Sequence, residues 1–234
     1  MLLGSLFRKP EKLRIYYELI MQEITAMTGG SMFIVVVIST FVGGVTTLQT
    51  AYQLTTGLIP PSVIGSVVAA STLLELAPTV VTFILAGQIG SRIASQIGTM
   101  RVTEQIDAIE VMGINSSTYL ILPKIIGGLV SLPILVTVAA FLCILGGMLA
   151  GDLTGEVTAT EYTLGIQTYY DPLQVTVMYI KALTFGFLIT TISAYQGYYT
   201  RGGALEVGQS STLAVVYSCL AMVLADYFIA QILL

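Results

Sequence analysis

Three ionisable side chains, Glu75, Lys181 and Asp226, fall inside long apolar stretches of this 234-residue chain. A charge at the centre of a membrane-crossing helix costs roughly 2.5 to 3.5 kcal/mol on insertion scales, so each needs a partner, a proton or a ligand. Counted from the outer end of each stretch at 1.5 Å per residue, Glu75 lies about 20 Å deep, Lys181 about 12 Å and Asp226 about 11 Å, levels that allow one network. Such a trio can relay a proton or cation, contact a polar ligand, or simply fix helix registry as an ion pair. Pro78, three residues after Glu75, removes the hydrogen bond that the Leu74 carbonyl would accept. That predicts a kink beside the charge and a carbonyl in need of a partner or water.

A second candidate is the run GTMRVTEQIDAIEVMG from Gly98 to Gly113. Val102, Ile106, Ile109 and Met112 form the apolar face of a short helix, and Glu104, Asp107 and Glu110 line another face. Such a helix suits a groove in a soluble subunit, where Arg101, Glu104, Gln105, Asp107 and Glu110 offer charge-assisted contacts, or it lies on the membrane surface.

Other chemistries are excluded. The chain has no histidine, which removes His-based triads, HExxH zinc sites and haem ligation. Nine Lys+Arg against thirteen Asp+Glu give a net charge of -4, with no basic field for nucleic acid. Cys143 and Cys219 sit in apolar runs and read as small core residues. Residues 203–210, GALEVGQS, have the P-loop spacing, but Gln209 stands where the phosphate-binding lysine belongs and no strand precedes them. The chain is not an enzyme by these criteria, and no metal or cofactor site emerges.

The elements that position these residues follow from composition. Hydrophobic residues make up 55% and charged residues 9%, against about 25% charged in soluble chains. At about 20 residues per crossing, the chain is an all-α polytopic membrane protein. Met1 to Phe7 is too short for a signal-peptide core. Over 8–28, Leu13, Tyr16, Tyr17, Ile20, Ile24 and Met27 define the apolar face of an amphipathic helix lying in the interface, with Lys12, Arg14, Glu18 and Glu23 opposite. Five spans follow, near 30–54, 62–91, 122–150, 173–198 and 210–233, the first two separated by a turn over 55–62. The short helix occupies 99–113, and residues 1–234 form a single domain.

Arg8, Lys9, Lys12, Arg14, Arg92, Arg101, Lys124 and Arg201 fall on one side of this arrangement, and Asp152, Glu156, Glu161 and Asp171 on the other. The positive-inside rule then places the N-terminus in the cytoplasm and the C-terminus outside. Gly43, Gly44, Thr46, Thr47, Gln49, Thr50 and Gln53 make the first span polar enough to line a cavity. Tyr52 suits the cavity or the aromatic belt equally. Ala86, Gly90, Ala94 and Gly98, with Gly87, Ser91 and Ser95 alongside, and Gly147 with Gly151, permit close helix approach within one chain or between subunits.

ELAP at Glu75 to Pro78, AGQIGS at Ala86 to Ser91, the 98–113 block, LP at Leu122 and Pro123, Lys181 with Phe185 and Gly186, GGALEVG at Gly202 to Gly208, and Asp226 together resemble the MlaE (YrbE-like) permease family. The TMRVTEQIDA block is the most specific part. The resemblance implies the membrane subunit of an ATP-binding-cassette (ABC) phospholipid transporter in a bacterial inner membrane. It implies a homodimer, cytoplasmic ABC ATPase subunits that hold ATP and Mg, a periplasmic MCE-domain protein, and phospholipid between the protomers. The 102–112 helix becomes the coupling helix, and a lipid cavity would draw on Gln49, Tyr52, Gln53, Leu74 and Glu75. Gln88 and Gln96 depart from the arginine and acidic residue common in the family, and Arg92 is an added cation. The alternative reading is an ion-coupled secondary carrier with Glu75, Lys181 and Asp226 as its relay. A structural scaffold for an envelope complex is a third.

Overall fold

The computed structural model describes residues 13–54 and 60–233, with side chains from residue 16 onward. The described residues are helical, with no strand among them. Five helices are long and apolar enough to cross a membrane. We label α1 Leu13–Gln53, α2 Ser62–Val102, α3 Gln105–Val111, α4 Ser116–Thr154, α5 Ala159–Thr168, α6 Pro172–Tyr198 and α7 Ala204–Leu233.

The expected interfacial helix and first span run together as α1. At 1.5 Å per residue its 41 residues reach about 60 Å, twice a hydrocarbon core. No proline interrupts it, and the Gly29–Gly30 pair where the two pieces meet stays helical. On its first turns Tyr16 and Met27 are buried as the pattern expects, but Tyr17 faces outward. Residues 8–12 and most of the expected 55–62 turn, from 55 to 59, lie outside the described residues.

α2 is not uniform. Thr72–Val80 and Ala86–Gly90 are π-helical turns set between α-helical pieces. Pro78 explains the first, since a residue without an N–H cannot continue the regular ladder. The helix runs on to Val102, so residues 99–102 belong to this span and not to the short helix. α3 begins after a turn in which Glu104 takes a left-handed conformation, φ 59°. Asn115 caps α4 by accepting from the Thr118 N–H, and Gly155 ends it at φ 76°. α5 had no counterpart in the expected elements; Thr158 and Glu161 form its capping box. Asp171 caps α6, with Pro172 at its first position.

Glycines set the packing. A Cβ on Gly43 would collide with the Cys143 backbone, and one on Gly146 with the Thr40 backbone, so α1 and α4 touch main chain to main chain. Gly147 faces Thr47 and Gly43 in the same seam. The Ala86, Gly90, Ala94, Gly98 line is used within the chain: Gly90 meets Ser193, Ala94 meets Gly197, and Gly98 meets Thr200 and Val207. α5 presses on the start of α2 through Gly65 and Gly165. The largest buried cluster runs from Met27 through Leu85, Ile97, Leu135, Phe185 and Ile189 to Met222.

Candidate functional site

The widened turn of α2 carries Glu75 toward α6 and α7, and the three intramembrane charges meet. Lys181, fully buried, donates to Glu75 Oε1 at 2.8 Å and to Asp226 Oδ1 at 2.7 Å. Its third N–H reaches the Leu74 carbonyl at 2.9 Å. The carbonyl freed by Pro78 therefore has its partner, and all three ammonium donors are used. Thr79, one turn after Glu75, adds a hydroxyl within 3.1 Å of Glu75 Oε2 and 3.4 Å of Asp226 Oδ1. Sequence reasoning missed Thr79, although its i+4 spacing from Glu75 was the available signal.

Two carboxylates and one ammonium leave the cluster with a formal charge of -1. Its three members differ in access: Lys181 is sealed, the Asp226 side chain is 19% exposed and that of Glu75 is 48% exposed. A half-open carboxylate on a buried cation can meet a cationic group, a proton or water without leaving the lysine unpaired. Leu74 is half-buried beside it, while Gln49, Tyr52 and Gln53 lie on the exposed face of α1.

A second polar seam lies between α1, α2 and α4. Lys124, counted above only as a cation at a span end, is buried and donates to Glu23 Oε1 at 2.5 Å and Gln96 Oε1 at 2.8 Å. Arg92 donates to the Ala26 carbonyl at 2.8 Å and Gln88 to the Gly30 carbonyl at 2.7 Å. The three positions at which the sequence departs from the pattern of the family it resembles thus all bind α1 or its partner lysine. Composition gave no signal for this seam, since Glu23 and Lys124 are 101 residues apart.

At the opposite end of α2 from Glu75, α3 folds back with Ile106 buried beneath it. Arg101 bridges to Asp107 at 2.7 Å, and its guanidinium lies 5.8 Å from the Tyr198 ring centroid. Glu110 Oε1 accepts from Ser116 at 2.6 Å and from the Tyr198 hydroxyl at 3.0 Å. The Ser116 hydrogen bond, helped by Tyr198 and Arg101, holds the Glu110 carboxyl below its ordinary value. Of the five residues expected to face a partner, Arg101, Asp107 and Glu110 thus make contacts within the chain. Glu104, Gln105, Asp107 and Glu110 are all exposed, together with Ala108, Val111 and Met112. The P-loop-like segment enters the first turns of α7, where Glu206 accepts from the Gly203 N–H at 2.7 Å.

Five apolar helices joined by an ion cluster define a multi-pass membrane protein. The comparisons narrow the class. The family model described as Permease MlaE matches residues 20–232, and the chain belongs to that family. It is 34% identical over 228 residues to a probable ABC transporter permease protein of Rickettsia bellii, covering 97% of this chain and 86% of the relative. A probable ABC transporter permease protein of Synechocystis is 33% identical over 237 residues, with 99% and 88% covered. The intermembrane phospholipid transport system permease protein MlaE of Haemophilus influenzae is 29% identical over 237 residues, with 100% and 89% covered. The chain is a transporter permease, and ATP hydrolysis belongs to a separate subunit.

Proposed function

We propose that the chain forms the membrane-embedded half of an ATP-driven phospholipid transporter in a bacterial inner membrane, N-terminus inside and C-terminus outside. Two copies enclose the lipid, two cytoplasmic ABC ATPases bind ATP and Mg beneath them, and an MCE-domain protein meets the outer face. The observation that carries this reading is the uncovered side of α3, where Val111 is 89% and Met112 67% exposed at the end of a helix seated on the spans. Apolar side chains projecting beside Glu104 and Gln105 suit the groove of a soluble subunit. The name of the Haemophilus influenzae relative, an intermembrane phospholipid transport system permease protein, supports phospholipid as cargo.

In this reading Glu75, Lys181 and Asp226 act at the lipid site. The half-exposed Glu75 meets the cationic part of a headgroup in one conformation and turns back to Lys181 in the other, giving the difference in affinity that transport requires. Leu74 with Gln49, Tyr52 and Gln53 completes the wall. Copurification tests the docking step. The wild-type chain retains its ATPase in mild detergent, and Val111→Glu with Met112→Glu releases it while the permease itself stays folded. Retention of the ATPase by that double variant contradicts the reading.

A further inference from the structure

Two routes lead from α3 to the ion cluster, and they differ in stiffness. The covalent route enters α2, passes one π-helical turn and reaches a second that holds both Pro78 and Glu75. Widened turns interrupt the regular ladder and can absorb a displacement by changing their register. The second route crosses by hydrogen bonds. Glu110 Oε1, the Ser116 hydroxyl and the Tyr198 hydroxyl form a triangle with sides of 2.6, 2.9 and 3.0 Å. Ser116 opens α4 and Tyr198 closes α6, so one carboxylate oxygen ties α3 to both.

From Tyr198, α6 is a regular α-helix back to Lys181, with no proline after its first residue. The 17 helical steps from one to the other span about 26 Å. Arg101 stiffens the joint by pairing with Asp107 inside the α3 turn while lying over the Tyr198 ring. Ser116 is 2% exposed, which shields this side of the triangle from competing water.

We infer that Glu110 is a positioning residue: it carries the motion of α3 through Tyr198 and the α6 rod to Lys181, instead of contacting the ATPase. This rests on the reading of α3 as the ATPase contact, and it gives the acidic residues of that helix separate tasks. Glu104 and Gln105 face the partner, Asp107 closes the turn, and Glu110, itself exposed, turns its Oε1 to Ser116 and Tyr198.

The test uses the full complex in liposomes, with a fluorescent phospholipid and a phosphate-release assay read together as lipid moved per ATP hydrolysed. Glu110→Ala and Tyr198→Phe are expected to keep the ATPase bound and hydrolysing while that ratio falls about tenfold. Glu110→Gln, which keeps an accepting oxygen, restores most of it. An unchanged ratio in both Glu110→Ala and Tyr198→Phe overturns the inference, as does loss of the bound ATPase in Glu110→Ala with a normal ratio in the complex that remains. Should Glu110→Ala not accumulate, Tyr198→Phe decides alone, because it removes one hydroxyl and leaves the ring. A wild-type chain that binds no ATPase removes the underlying reading instead.

Discussion

Lys181 is held by three acceptors on two other helices, and its removal leaves the half-open Glu75 and the more buried Asp226 without their counter-ion. Breaking a buried pair by deleting one partner costs about 3 to 5 kcal/mol, whereas replacing the whole set by apolar residues is often neutral. Lys181→Met is therefore expected to lower thermal stability in detergent and to cut lipid transport at least tenfold. Unchanged transport at unchanged expression leaves the cluster without a mechanistic role. Glu110 offers a pH test. Its folded-state carboxyl titrates below the unfolded value, so its stabilising contribution is complete above the ordinary carboxylate range and is lost as pH falls through the lowered one. Protection of the α3 amides, measured against their intrinsic exchange rates at each pH, should fall as the pH drops below about 4.3. Arg101, Asp107 and Tyr198 surround the same site, so the part belonging to Glu110 is what Glu110→Ala abolishes. The residues of the cluster were legible because charges in apolar stretches are conspicuous. Lys124 was not, since a lysine near a span end reads as a surface cation until Glu23 is found beside it.

Among the elements, the positions of the five spans follow from hydropathy alone, because nothing but an apolar helix satisfies its backbone in lipid. Their lengths were less visible. α2 continues past the expected hydrocarbon stretch at its C-terminal end and α4 at both ends, where polar residues still favour helix. The continuity of α1 across Gly29 and Gly30 was hidden because a glycine pair reads as a break, yet helical geometry costs only about 1 kcal/mol per glycine. α5 was missed although Thr158 and Glu161 carry the capping-box spacing, since ten residues are too few to announce a span. Glycine substitutions separate packing from propensity. Gly43→Leu must part α1 from α4 and is expected to abolish folded yield in size-exclusion chromatography. Gly29→Ala meets nothing within 4 Å and should leave the melting temperature unchanged or raised.

As a whole the molecule is a set of helices joined across at three polar levels: the Glu75, Lys181, Asp226 cluster, the Glu23 and Lys124 seam, and the triangle under α3. In the proposed reading the ion cluster distinguishes two lipid-bound states, and α3 is the lever that the ATPase pushes. The energy comes from another subunit. The most direct measurement reconstitutes the chain with its ABC ATPase in liposomes and follows a fluorescent phospholipid with and without ATP. Transport that requires ATP, the ATPase and an intact Lys181 is the predicted result. Uptake driven by a proton gradient through the purified chain alone contradicts it.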